Sequence, residues 1–152
     1  MRLLCDEMLN RLARWLRAAG YDTALAREGG TDRELMRRAV ADDRLLITRD
    51  REFLQRREAG RRVLLLRSEA LTAQALELRE RLGIDWLHHP FSRCLLCNGV
   101  LEPLRAPAEP LPESARFCPR CRKIYWEGSH VRRMRARLRA WRDGFQTSSA
   151  PP

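Results

Sequence analysis

The first 87 residues of this 152-residue chain contain no proline, the whole sequence has a single lysine, and no apolar run is long. Each absence excludes something. A bilayer-crossing helix needs about 20 mostly apolar residues, so no helical membrane span is expected. The opening "MRLLCDEMLN" meets acids at Asp6 and Glu7, too early for the apolar centre of a signal peptide. A cytoplasmic protein is the expectation. With 44% hydrophobic and 33% charged residues, the chain has the apolar material for a packed core and is not disordered overall. The proline gap ends abruptly, because six of the eight prolines lie between positions 90 and 119. We therefore expect a domain over 1–87, a small stabilised module over 88–145 and a disordered tail over 146–152.

The scarcity of lysine leaves arginine to carry the positive charge, 29 of 30 cations, against 20 acids, for a net +10. The excess is uneven: 18 Lys+Arg against 15 Asp+Glu in residues 1–87, but 12 against 5 in residues 88–152. A field of this sign attracts polyanions, nucleic acid above all. A solvated surface in an arginine-rich chain is the alternative reading.

Strand and helix periods alternate along the first part. "RLLC" (2–5), "YDTAL" (21–25), "RLLIT" (44–48) and "RRVLLLR" (61–67) read as strands. Helices are expected from Met8 to Gly20, over 29–43 with Thr31 and Glu34 as a capping box, and over 68–83 as another capped helix. This alternation predicts an α/β fold with a largely parallel sheet. A last helix from Val131 combines an apolar stripe (Val131, Met134, Leu138, Trp141) with six arginines between 132 and 142.

Two C-x-x-C pairs, Cys94–Cys97 and Cys118–Cys121, stand 20 residues apart, a zinc-ribbon spacing. Four thiolates complete a tetrahedral shell and leave no open position, so the expected zinc is structural. Disulfides or a redox dithiol are the competing readings, and a single redox motif does not explain two pairs. Cys5, on an apolar strand, reads as core. His88, His89 and His130 read as surface or hydrogen-bonded residues.

Three acids sit where strands or loops end. Asp6 closes the first strand, Asp50 follows the third, and Asp32 opens a helix after a loop. In a parallel sheet the carboxyl ends of neighbouring strands converge on a crevice. Clustered carboxylates there would hold a hard divalent cation, Mg2+ or Mn2+, the usual apparatus for phosphodiester hydrolysis. Taken singly, Asp32 and Asp50 read equally as helix-start residues, Asp22 as an edge-strand charge and Glu7 as solvated.

The assembled segments "DEMLNRLARWLRAAGYDT" (6–23), "TDRELMRRAVADDRLLITRDREF" (31–53), the two Cys pairs and "IYWEGSHVRRM" (124–134) resemble the RNase domain at the C-terminus of the mut-seven exonuclease. The resemblance spans roughly residues 1–135. It implies a PIN-like nuclease domain followed by a zinc ribbon, and a metal-dependent ribonuclease with catalytic acids Asp6, Asp32 and Asp50. Thr48 matches the hydroxyl of the T-x-D motif. A fourth acid after a later strand is poorly matched by Ser68 and Glu69, so Asp22 and Glu52 are the candidate substitutes. Arg11, Arg14 and Arg49 could hold phosphates, Arg132 and Arg133 begin an arginine helix that could follow RNA, and Trp15 and Trp126 are either base-stacking or packing residues. RNA is the expected partner and a homodimer a further expectation. A catalytically silent RNA-binding module is the alternative function.

Overall fold

The computed structural model describes residues 1–55, 60–104 and 114–144. The tail over 146–152 lies outside the described residues.

Four short strands form a parallel sheet: β1 (Arg2–Cys5), β2 (Asp22–Leu25), β3 (Leu45–Thr48) and β4 (Val63–Leu65), in the order β2-β1-β3-β4. Alternation along the central strands buries both faces. Leu3, Cys5, Ile47 and Leu64 face one core with α1 (Asn10–Ala18), α3 (Leu71–Leu82) and α4 (Ser129–Asp143). Leu4, Leu46 and Ala24 face the other with Met36 and Ala39 of α2 (Asp32–Ala41), and with Phe53. Cys5 is fully buried, and burial pushes its thiol up to about 12.

The C-terminal helix belongs to the first core. Trp141 meets Trp15 and Trp86 edge-on, with centroids 4.9 and 5.0 Å apart. The indole of Trp86 donates to Ala75 O at 3.1 Å, so burying its nitrogen leaves no donor idle. Met134, Leu138 and Trp141 are buried on α4 and its arginine side is turned outward.

Helix boundaries follow local chemistry. Thr31 and Glu34 form the reciprocal capping box at α2. Ahead of α1 the chain makes a 3₁₀ turn over Glu7–Leu9, so the α-helix starts at Asn10 and Met8 stays exposed. At α3 the expected cap at Ser68 does not form. Ala70 occupies the cap position without a side-chain bond, because the segment before it is held from inside the helix. Glu77 accepts from the amides of Arg67 and Ser68, while Gln74 donates to the carbonyls of Ser68 and Glu69.

Beyond Trp86 the chain forms a small antiparallel sheet of two-residue strands, β5 (Glu102–Pro103), β6 (Arg116–Phe117) and β7 (Ile124–Tyr125). Its interior is Cys94, Leu101 and Cys118, with Tyr125 packed alongside. No helix among the described residues is long and apolar enough to cross a membrane.

Candidate active site and metal centres

β1 and β3 are paired neighbours with Cys5 level with Ile47, so the residues that follow each strand emerge together at its carboxyl edge. Asp6 comes next on one strand, and Asp50 two residues after the end of the other. Thr48, the last residue of β3, connects them: its hydroxyl donates to Asp6 Oδ2 at 2.7 Å and accepts from the Asp50 amide at 3.0 Å. The second Asp6 oxygen accepts from the Glu7 amide at 2.6 Å. Asp6 is only 9% exposed, so these donors offset the cost of burying a carboxylate.

Asp50 Oδ1 accepts from the Glu52 amide at 2.8 Å, a side-chain turn that brings Glu52 back over the sheet edge. Asp32 arrives from another direction as the first residue of α2, just after the Thr31 cap. One carboxylate oxygen each from Asp32, Asp50 and Glu52 lie within 4.8 Å of one another. Asp6 is outside that trio, but it lines the same cleft as Asp32 and Asp50, a space of about 980 Å³. An all-oxygen trio at this spacing suits a hard divalent cation.

The second cluster is built within the chain's own turns. The sulfurs of Cys94, Cys97, Cys118 and Cys121 lie within 4.8 Å of one another. The two knuckles share one backbone pattern. Asn98 and Arg122, each just past a second cysteine, take left-handed conformations (φ 67° and 55°). Their amides bond back to Cys94 O and Cys118 O at 3.0 and 2.8 Å. Backbone N–H groups of Gly99 and Cys121 point at sulfurs, each at 3.4 Å. Burial alone would raise the Cys94 thiol, but hydrogen bonds from the Tyr125 hydroxyl and the Cys97 and Leu96 amides hold it down to about 6. Cys121 is pushed up to about 12, first by its bond with Cys97 and then by burial. Four thiols in one shell resist successive ionisation unless a soft dication is among them, so the donor set fits zinc.

A model of the Mut7-C RNAse domain family matches residues 1–138. The chain belongs to that family. No curated protein and no solved structure matches it. In this Mut7-C RNAse domain the match runs through both knuckles and most of α4, so the ribbon and its helix lie within the family's extent.

The remaining candidates are dispersed. Asp22 starts β2, level with Arg2, and therefore sits at the amino edge of the sheet, opposite the cleft. It accepts from Arg44 at 2.8 Å and from Asn98 at 2.7 Å. Burial would raise its carboxyl, but Arg44 and Asn98 bring it down to about 2. Arg49 pairs with Glu69, and Arg132 donates to Glu127 O at 3.1 Å. Arg11, Arg14 and Arg133 are exposed. Trp15 is packed under Trp141, whereas Trp126 is 50% exposed.

Two features escaped the sequence pattern. Glu7 and Arg27 also line the cleft, and Glu7 accepts from the Gly29 amide at 3.2 Å, although a lone acid beside a strand reads as solvated. Arg17, on α1, is 4% exposed. Its guanidinium donates to Thr23 O, Leu95 O and Leu96 O at 2.8, 3.0 and 2.7 Å, joining the large sheet to the first knuckle.

Proposed function

We propose that this domain hydrolyses RNA phosphodiester bonds at the cleft lined by Asp6, Asp32 and Asp50, with Mg2+ or Mn2+ held chiefly by Asp32, Asp50 and Glu52. The observation that carries the reading is the meeting, at one sheet edge, of acids drawn from positions 6, 32, 50 and 52 in a member of an RNase-domain family. Carboxylates this close repel one another, and a dication among them reverses the sign of that interaction. When bound, such an ion polarises the phosphoryl group, activates water and stabilises the leaving oxygen.

The chain's own groups supply the rest. Thr48 and the Glu7 amide fix both oxygens of Asp6, so this carboxylate faces the reaction space in one orientation. The Thr48 hydroxyl also holds the Asp50 amide, which ties the acids of β1 and β3 to a common position. Arg27, exposed on the cleft wall, offers a guanidinium to a phosphate beside the scissile one. The four-cysteine ribbon supplies shape, because a four-thiolate site leaves no position for substrate.

A second reading has one observation in its favour. The place after β4 where a further acid is expected holds Ser68 and Glu69, and Glu69 is engaged with Arg49. A scaffold that binds RNA without cutting it would have this feature. Cleavage of a panel of single-stranded and hairpin RNAs with added Mg2+ or Mn2+ separates the two. Ion-dependent cutting by the wild type that is lost in Asp50→Asn supports the enzyme. RNA binding that persists in both proteins with no cutting above background supports the scaffold.

A further inference from the structure

α1 (Asn10–Ala18) leads from the cleft to the start of the ribbon. Its first residue, Asn10, lines the cleft. Its far end lies against the chain entering the ribbon, where the amides of Phe91 and His89 donate to Ala18 O and Ala19 O at 2.8 and 2.9 Å. Arg11 and Arg14 are exposed on the outer side of this helix. Residues three and four apart are neighbours on a helix surface, so Arg11 stands one turn before both Arg14 and Trp15. α4 adds a third cation: the Arg137 guanidinium lies over the Trp15 ring, 5.6 Å from its centroid. Trp15 is itself fixed edge-on by Trp141, so this platform is rigid.

Many other arginines are occupied. Arg49, Arg135 and Arg142 pair with Glu69, Glu127 and Asp143. Arg11, Arg14 and Arg137 form no ion pair among the described residues. A row of guanidinium groups without counter-charges repels itself, and a chain of phosphates relieves that repulsion.

We infer that an RNA strand seated in the cleft continues along α1, with its phosphates meeting Arg11, Arg14 and Arg137 in turn. This rests on the RNA reading above and adds to it a direction and a third arginine. The contacts are to backbone phosphates, so the row sets register and affinity without reading sequence.

The test is binding rather than cleavage, in the Asp50→Asn background and without added Mg2+. Fluorescence anisotropy follows labelled single-stranded RNAs of about 20 and about four nucleotides across a salt series. Single-strand contacts contribute about 0.7 to the salt slope per phosphate, so R11Q/R14Q/R137Q lowers it by about 2 for the longer RNA. The short RNA, which fills only the cleft, changes less than about two-fold in affinity by the same rule. R116Q/R120Q/R139Q removes equal charge from exposed positions elsewhere and leaves the slope near the wild-type value. R11Q/R14Q, which disturbs no packed contact, lowers the slope by about 1.4 and keeps the test valid if the triple variant does not fold. Equal losses in the two triple variants, or an unchanged slope in R11Q/R14Q, overturn the path while leaving the nuclease reading intact. No binding of the longer RNA at any salt also overturns the path, while the nuclease reading stands or falls on the ion-dependent cleavage panel above.

Discussion

The four-cysteine ribbon and the acid cleft are both clusters of ligand-type side chains, but they are assembled at different scales. Each knuckle is set within a few residues: two cysteines, a left-handed residue after the second, and an amide turned toward sulfur. The cleft needs the register of β1 against β3, the cap of α2 and the turn after Thr48 before its carboxylates share a space. On the zinc reading the ribbon folds around its four thiolates and their ion, while the cleft depends on the core for shape. Substitutions should separate stability from activity along that line.

The largest effect is expected at the ribbon. Cys118→Ser should lose bound zinc, from about one ion per chain, and unfold the ribbon, since structural zinc supplies about 10–16 kcal/mol in small zinc modules. Elemental analysis with hydrogen exchange checks this, and a retained full complement of zinc would break the contrast. Next comes Asp50→Asn, which keeps the oxygen that caps Glu52. It should lower cleavage about 10³-fold while moving Tm by less than about 2 °C. A large Tm loss would show the acid to be a folding element.

Thr48→Val sharpens the comparison because it should affect both quantities. It leaves a buried Asp6 oxygen without its donor and the Asp50 amide without its acceptor, at a cost of about 1–3 kcal/mol. Denaturant unfolding reads that loss, and cleavage should fall about ten-fold with it if orientation of Asp6 matters.

The smallest effect concerns the opposite edge. The Asp22 carboxyl lies at about 2 in the folded protein against an ordinary 3.8, so its contribution is present above about pH 4 and is lost as pH falls through 2. Asp22→Asn should cost about 2 kcal/mol at neutral pH and flatten the stability profile between pH 4 and 2, with no change in cleavage. A cleavage defect would return Asp22 to the reaction.

Local features were legible in the sequence and features made by packing were not. The four cysteines showed themselves by spacing, and the two β-strand acids by standing at the ends of apolar runs in an alternating pattern. Asp22 carried a usable signal too, since it begins its strand where Asp6 and Asp50 end theirs. The α3 cap misled because the helix begins at Leu71 with Ala70 in the cap position, which leaves Ser68 two residues too early to cap it. Arg17 gave no warning, because an arginine on an amphipathic helix reads as solvated until another layer is laid over it.

That arginine has a consequence for anyone who would treat the molecule as interchangeable parts. One guanidinium takes carbonyls from Thr23 on one side and from Leu95 and Leu96 on the other. A foreign ribbon grafted after Trp86 would seal it away from water with two of its three acceptors gone. Recombination at the proline boundary would therefore succeed only with donors that present two carbonyls at the same spot.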